Sequence, residues 1–349
     1  MNIEANQKPL LTLALFAYNQ EKFIREAVKG ALSQDYSPLE IIVSDDSSTD
    51  ATWAIIQEEV SNYSGFHIVR SRRNVTNKGL IPHVVEVMTL AEGDFIVVAA
   101  GDDVSFSNRV STLYSEWVRS GASCVFSNAI NMDAESRVFG LYSRITSPYQ
   151  IASPYRSTGT TRFLALGAAW IMGCSAAYSK ALILNFPPMR EGILTEDVVL
   201  AFRALLTNGI SYVPDPLLYY RRHHANLFNH TDPGYLDRLR KLRKWRHGNV
   251  QLATQQCSDF EHLPDHDPQI LDELRRLRLM HQCEADLCDD RGMKWVKTLL
   301  KRFKVGGFSL YDSSASIPRR VFRTLRLRIV WSIFTTYFPE YFLATFLKL

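Results

Sequence analysis

The chain has 349 residues, 46% of them hydrophobic, and a formal net charge of +4 at pH 7. That length exceeds what one small core organises, so a main domain with an appendage is expected, and the apolar share suffices for a large buried sheet. No uninterrupted apolar run approaches the ~20 residues that cross a bilayer, and Leu10 to Ala17, with no basic stretch before it, is too short for an export signal, so neither a spanning helix nor an exported precursor is expected.

Residues 10 to 105 alternate two periodicities. Strands are predicted over Leu10–Phe16, Glu40–Ser44, Phe66–Arg70 and Asp94–Ala100, and helices over Glu21–Gln34, Thr49–Val60 and Ile81–Ala91. This rhythm belongs to a mostly parallel, doubly wound α/β sheet, whose ligands gather at the carboxyl edge of the strands. A helix over Arg109–Arg119 and a strand over Ser123–Asn131 come next. They precede a Ser/Pro/Tyr-rich loop, Ser143–Thr161, of the kind that closes over a substrate. Ala165–Tyr178 is rich in small residues, Gly167 and Gly173 among them. Thr195–Leu206 reads as an amphipathic helix with Thr195 as N-cap and two acids in its first turn. Ser211–Tyr220 reads as a strand whose Pro214 and Pro216 point to a sheet edge.

From Tyr235 the pattern changes to basic or mixed amphipathic helices, Tyr235–Gln256 and Gln269–Cys288, joined by the acidic linker Glu261–Asp267. The expected division is therefore a main domain at 1–234 and a smaller helical, basic region at 235–349. Residues 291 to 349 carry twelve Lys or Arg against Asp312 and Glu340, so the tail is basic and the body acidic. Its arginines are followed by Trp331, Phe334, Tyr337, Phe338, Tyr341, Phe342 and Phe346, which suits the headgroup region of a membrane better than nucleic acid. Packing against the main domain or a second subunit is the alternative, which leaves a homo-oligomer open. The five cysteines are odd in number and lack paired zinc spacing, which fits thiols in a reducing compartment. His281, Cys283 and Cys288 lack a fourth ligand at a usual spacing.

Three acidic clusters carry the chemistry. Asp45-Asp46 follows the second strand, Asp102-Asp103 follows the strand ending at Ala100, and Glu196-Asp197 opens a helix. Carboxylates gathered on one sheet edge repel one another and lose hydration, which is stable only where a cation, a base or a sugar hydroxyl is held.

The motifs Leu13-Phe16-Ala17-Tyr18-Asn19, Ile42-Val43-Ser44-Asp45-Asp46-Ser47-Ser48-Thr49-Asp50, Asn77-Lys78-Gly79 and Gly101-Asp102-Asp103 with Arg109 occur in a characteristic order. With Thr195-Glu196-Asp197 and Tyr220-Arg221-Arg222-His223 plus Asn226, they make residues 10 to 230 resemble family 2 glycosyltransferases. One departure is Ala100, where many relatives carry a further Asp. The resemblance implies a GT-A fold and inverting transfer from a nucleotide-diphosphate sugar to a glycan or lipid-linked acceptor, in cell-surface polysaccharide synthesis. It also implies Mn²⁺ or Mg²⁺, with Asp103 as metal ligand, Asp102 against the ribose or in the metal shell, and His223 reaching the metal. Asp46 is expected to meet the base, with Asp45 orienting the loop or ribose and Tyr18 stacking. Arg221, Arg222 and Lys78 are expected at the diphosphate, and Asp197 as general base with Glu196 orienting a neighbour. Trp170 is weighed as an acceptor-stacking residue against an ordinary core aromatic. The location expected is cytoplasmic, peripheral on the inner face of the cell membrane.

Other readings follow from the same residues. A dinucleotide oxidoreductase or nucleotidyltransferase would usually need glycines after the first strand, where Ala17-Tyr18-Asn19-Gln20 has none. A non-catalytic nucleotide-sugar or glycan-binding module of the same fold is the alternative function, and retention of every acidic cluster argues against it.

Overall fold

The computed structural model describes residues 8–142, 171–223, 226 and 235–289. The predicted loop 143–161, Trp170 and the basic aromatic tail lie outside the described residues. The chain forms two compact units, one of residues 1–231 with 248–277 and the other of 232–247 with 278–349.

The first unit begins with β1 (Leu11–Ala17), α1 (Ile24–Leu32), β2 (Leu39–Asp45), α2 (Thr52–Ser61), β3 (Ile68–Arg73), α3 (Leu80–Leu90) and β4 (Phe95–Ala100). Its strands pair in parallel in the order β3-β2-β1-β4. β1 is buried at all seven positions because helices cover both faces of the sheet. Leu11, Leu13 and Leu15 join one core with Ile41, Val43 and the α1 residues Ala27 and Val28, while Ala14 and Phe16 join another with Ile42 and the α3 residues Val84 and Val87. Alternation along the strand sorts the residues between the two cores.

The sheet continues through β5 (Val104–Ser105), α4 (Arg109–Ser120), β6 (Cys124–Met132), β7 (Val138–Leu141), β8 (Ala176–Ser179), the helical turn α5 (Ala181–Leu184), α6 (Glu196–Leu206) and β9 (Ile210–Arg221). Among the described residues the order is β3-β2-β1-β4-β8-β6-β9-β5, with β7 on β6. β8 is antiparallel to β4 and β6. This mixed α/β sheet flanked by helices is a GT-A-like fold.

The edge position expected for the proline-bearing strand holds at the prolines themselves, where among the described residues β9 has a partner strand on one side only. β9 pairs with β6 along one side and with the two-residue β5 at Leu218 and Tyr219 on the other. Its prolines fit because the β6 pairing shifts register between Ser127 and Asn128, where Val213 gives way to Pro216, and an irregular ladder leaves room for a missing N–H.

α7 (Tyr235–Glu261) runs five residues past its predicted end, and α8 (Pro268–Asp289) starts with proline at its first position, where no intrahelical donor is needed. In the first unit, α6 is fastened to α7 by a buried ion pair: Arg203 Nε and Nη2 lie 2.7 and 3.0 Å from the Asp259 carboxylate, which also accepts from Gln255 Nε2 at 2.8 Å. In the second unit, Asp289 pairs with Arg243 at 2.6 Å and His247 at 2.9 Å, and Glu284 pairs with Arg246. All five cysteines are free thiols. Among the described residues no helix is long and apolar enough to cross a membrane.

Candidate active site

The carboxyl ends of β1, β2 and β4 are level, since Ala17 pairs with Asp45 and Phe16 with Ala100. Two backbone bonds extend this alignment into the loops: the Asp46 N–H donates to the Ala17 carbonyl at 2.9 Å, and the Gly101 N–H to the Phe16 carbonyl at 2.8 Å. Asp45-Asp46 and Asp102-Asp103 therefore flank one strand end.

On the β2 side each carboxylate is held by three donors. Asp46 is buried; its Oδ1 accepts from Asn74 Nδ2 at 2.7 Å and from the Lys78 N–H at 2.9 Å, and its Oδ2 accepts from the Gly79 N–H at 2.9 Å. Gly79, at φ 81°, closes this loop in a conformation that glycine adopts without strain. Asp45 accepts from the Ser48 N–H at 3.1 Å and the Ser48 hydroxyl, and pairs with Arg73 Nε at 3.1 Å.

The loop after β1 is stitched to the loop after β2. Asn19 N–H donates to Ser48 Oγ at 2.8 Å and Thr49 N–H to Asn19 Oδ1 at 2.8 Å. Gln20 N–H donates to Thr52 Oγ1 at 2.7 Å, Glu21 N–H to Asp50 Oδ2 at 3.1 Å, and Ala51 N–H back to Glu21 Oε2 at 3.0 Å. Tyr18 stands at this rim, 47% exposed. The Lys78 ammonium is bound to both Glu86 oxygens at 2.9 Å, which holds the Glu86 carboxyl below its ordinary range.

The β4 side is different. Asp103 is 5% exposed; its Oδ1 accepts from the Arg221 N–H at 2.8 Å, while its Oδ2 is buried without a hydrogen-bond partner. Burial, and then the neighbouring Asp102, push its pKa well above the ordinary carboxylate range. Asp102 Oδ2 faces His223 Nε2 at 3.0 Å and accepts from Asn226 Nδ2 at 3.2 Å. His223 thus meets Asp102, and its ring packs on Phe23 with centroids 4.6 Å apart.

Asp197 and Glu196 open α6 and are both pushed upward in pKa, chiefly by burial. Asp197 also accepts from the Val198 N–H at 2.8 Å, which opposes the shift. Gly173 lies against this carboxylate: a Cβ there would sit 2.9 Å from Asp197 Cβ and 3.2 Å from its Oδ2, so only glycine allows the approach. The next residue, Cys174, brings its thiol beside Asp103, and burial together with that carboxylate pushes the thiol pKa up. The turn Gly173–Ser175 therefore touches Asp197 with one residue and Asp103 with the next. Beneath it, the buried Arg109 donates to the carbonyls of Cys174 at 2.7 Å and Val98 at 2.6 Å, and burial lowers its pKa to about 10.

Asp102, Asp103, Arg221 and His223 are thus bonded together, with Asp197 one turn away. Asp45, Asp46, Tyr18 and Lys78 form a separate group across the β1 end. Arg222 is exposed, whereas Arg221 is buried with its guanidinium turned into the protein. Sequence reasoning missed Gly173, Cys174, Phe23, Glu26 and His83, the last buried against Ser44 Oγ at 2.6 Å. A Gly-Cys pair inside a small-residue segment was the one legible signal.

Among the described residues no group of three His, Cys, Asp or Glu is arranged to hold a metal ion. Hard divalent ions need only one or two protein carboxylates when phosphate oxygens complete their shell. The orphaned Oδ2 of Asp103, with Asp102 adjacent, fits that requirement.

Over 134 aligned residues the chain is 28% identical to the glycosyltransferase GlyG of Streptococcus pneumoniae, covering 38% of this chain and 43% of that protein. Over 128 residues it is 27% identical to the GalNAc(5)-diNAcBac-PP-undecaprenol beta-1,3-glucosyltransferase of Campylobacter jejuni, covering 35% of this chain and 38% of that one. The chain thus spans under half the length of these relatives. Its fold matches the crystal structure of S. aureus TarS 1-349 in complex with UDP at a TM-score of 0.54 and 16% identity, over 93% of this chain and 86% of that one. Residues 12–184 match the family model described as Glycosyl transferase family 2, and this stretch is a domain of that family.

Proposed function

We propose that the protein transfers a sugar, with inversion, from a nucleotide-diphosphate donor to a hydroxyl of a glycan or lipid-linked acceptor in cell-surface polysaccharide synthesis. The observation that carries this reading is a pair of carboxylates with raised pKa values, Asp103 with its unpartnered Oδ2 and Asp197, set against successive residues of one turn.

Asp197 accepts the proton of the acceptor hydroxyl as that oxygen attacks the anomeric carbon. Its raised pKa suits a base working near neutrality, and the adjacent Glu196 is pushed upward as well. Asp103, helped by Asp102, would hold Mg²⁺ or Mn²⁺, which when bound neutralises the charge growing on the diphosphate. Asp46 organises the 74–79 loop with three of roughly four acceptor positions, which leaves one for an imide N–H of the base. Tyr18 stacks on that base, and the exposed Arg222 reaches the diphosphate. The undecaprenol-linked acceptor in the name of the Campylobacter relative supports a lipid-linked acceptor, and the basic aromatic tail supports action at the inner membrane face.

A screen of nucleotide sugars with Mn²⁺, starting from UDP sugars because TarS holds UDP, tests the reading. Metal-dependent release of nucleotide with transfer to an acceptor is expected. Donor binding without turnover, across donors and acceptors, would leave a binding module instead.

A further inference from the structure

Arg221 is a buried arginine, 1% exposed, whose donors meet three different segments. Its backbone N–H donates to Asp103 Oδ1 at 2.8 Å and its Nε to the Asp102 carbonyl at 2.9 Å. Nη1 donates to Ser136 Oγ at 2.8 Å and the Asp133 carbonyl at 3.2 Å, and Nη2 donates to Glu26 Oε2 at 2.6 Å. The guanidinium carbon sits 4.9 Å from the centroid of the Phe23 ring, which also carries His223. Ser136, held at φ 62° in the turn before β7, donates in turn to the Glu26 carboxylate at 3.2 Å.

We infer that Arg221 is a positioning residue for the Asp102-Asp103 turn, with Glu26 on α1 as its counter-ion and Phe23 as the plate between it and His223. The inference rests on reading that turn as the metal and donor centre. A guanidinium whose three nitrogens are each engaged, with Glu26, Ser136 and two carbonyls, has no fork to offer a diphosphate, so the clamp role expected for it falls to Arg222. The ion pair with Glu26 holds Asp103 by one bond at the backbone of Arg221 and one at the carbonyl of Asp102. Such outer partners of metal-binding carboxylates commonly govern affinity without touching the ion.

The test uses the full chain as Glu26→Gln, Arg221→Lys and the double variant. Glu26 is 52% exposed on its side chain, so its substitution leaves the core intact. Binding of Mn²⁺ in the presence of UDP, followed calorimetrically, is expected to weaken about tenfold in either single variant and no further in the double, because both changes cut one linkage. Amide exchange at Arg221 is expected to quicken in Glu26→Gln while β1 stays protected. Unchanged exchange there overturns the inference whether or not any ligand binds. Glu26→Gln matching the wild type while Arg221→Lys loses UDP affinity also overturns it, in favour of a donor contact. A wild-type chain that binds neither Mn²⁺ nor UDP sinks the proposed function itself and leaves the exchange result to judge the linkage.

Discussion

Two regions at the same sheet edge use carboxylates in opposite ways. After β2, Asp45 and Asp46 each take three donors, from backbone N–H groups, Asn74, Ser48 and Arg73, and they shape loops. After β4, Asp103 is buried with one oxygen unpartnered, and at the start of α6 the half-buried Glu196 and Asp197 lose hydration, so that all three pKa values rise. A satisfied buried carboxylate stabilises the fold, whereas an under-satisfied one opposes it and persists where chemistry needs it. In the proposed function, the contrast separates the residues that build this site from those that act in it.

Replacement of the acting residues is expected to have the largest effect. Asp103→Ala and Asp197→Ala should each lower transfer by at least about a hundredfold, the usual worth of a positioned acid or base, with unchanged far-ultraviolet dichroism. Near-native turnover in either variant would erase the distinction between the two regions.

Stability should move in opposite directions on the two sides. Asp46→Ala leaves three donors without their acceptor and is expected to destabilise by about 2–4 kcal/mol. Asp103→Asn should instead raise the melting midpoint of the metal-free protein by about 2–4 °C at pH 8. The folded-state pKa of Asp103 lies above its unfolded value, so its contribution is fully present below the unfolded pKa and is lost as pH rises through the folded one. The gain from Asp103→Asn should therefore vanish below about pH 4, near the unfolded carboxylate pKa. A melting series over pH decides this.

Turnover with saturating donor should fall as pH is lowered through the raised pKa of Asp197, because only the carboxylate accepts a proton. A limb at the ordinary carboxylate value would show that Asp197 is not the base. The smallest effect is expected at Lys78, whose ammonium is already held by Glu86: Lys78→Ala should change the donor KM less than about threefold, as for an exposed ion pair.

The strand-helix order and the location of all three acidic clusters were legible in the sequence, because buried parallel strands read as apolar runs and their acids fall just beyond. The division of labour among those acids was not. Asp45 and Asp103 look alike locally, and only the Ser48 and Arg73 donors around the first, against the bare Oδ2 of the second, tell them apart. Arg221 and Arg222 follow the same logic. Neighbouring residues at a strand end point to opposite sides, but which one turns inward depends on the pairing of β9 with β6, which puts Arg221 beside Met132. Glu26 sits 195 positions from Arg221, beyond any local pattern.

The stitched loops after β1 and β2 bear on how this site could be re-tooled. Their backbone amides bond to side chains of the opposite loop in both directions, through Asn19, Glu21, Ser48, Asp50 and Thr52. Grafting either segment alone from a homologue with a different nucleotide preference would strand half of those donors. Residues 18–21 and 47–52 behave as one cassette, and exchange of donor specificity by recombination would have to move both halves together.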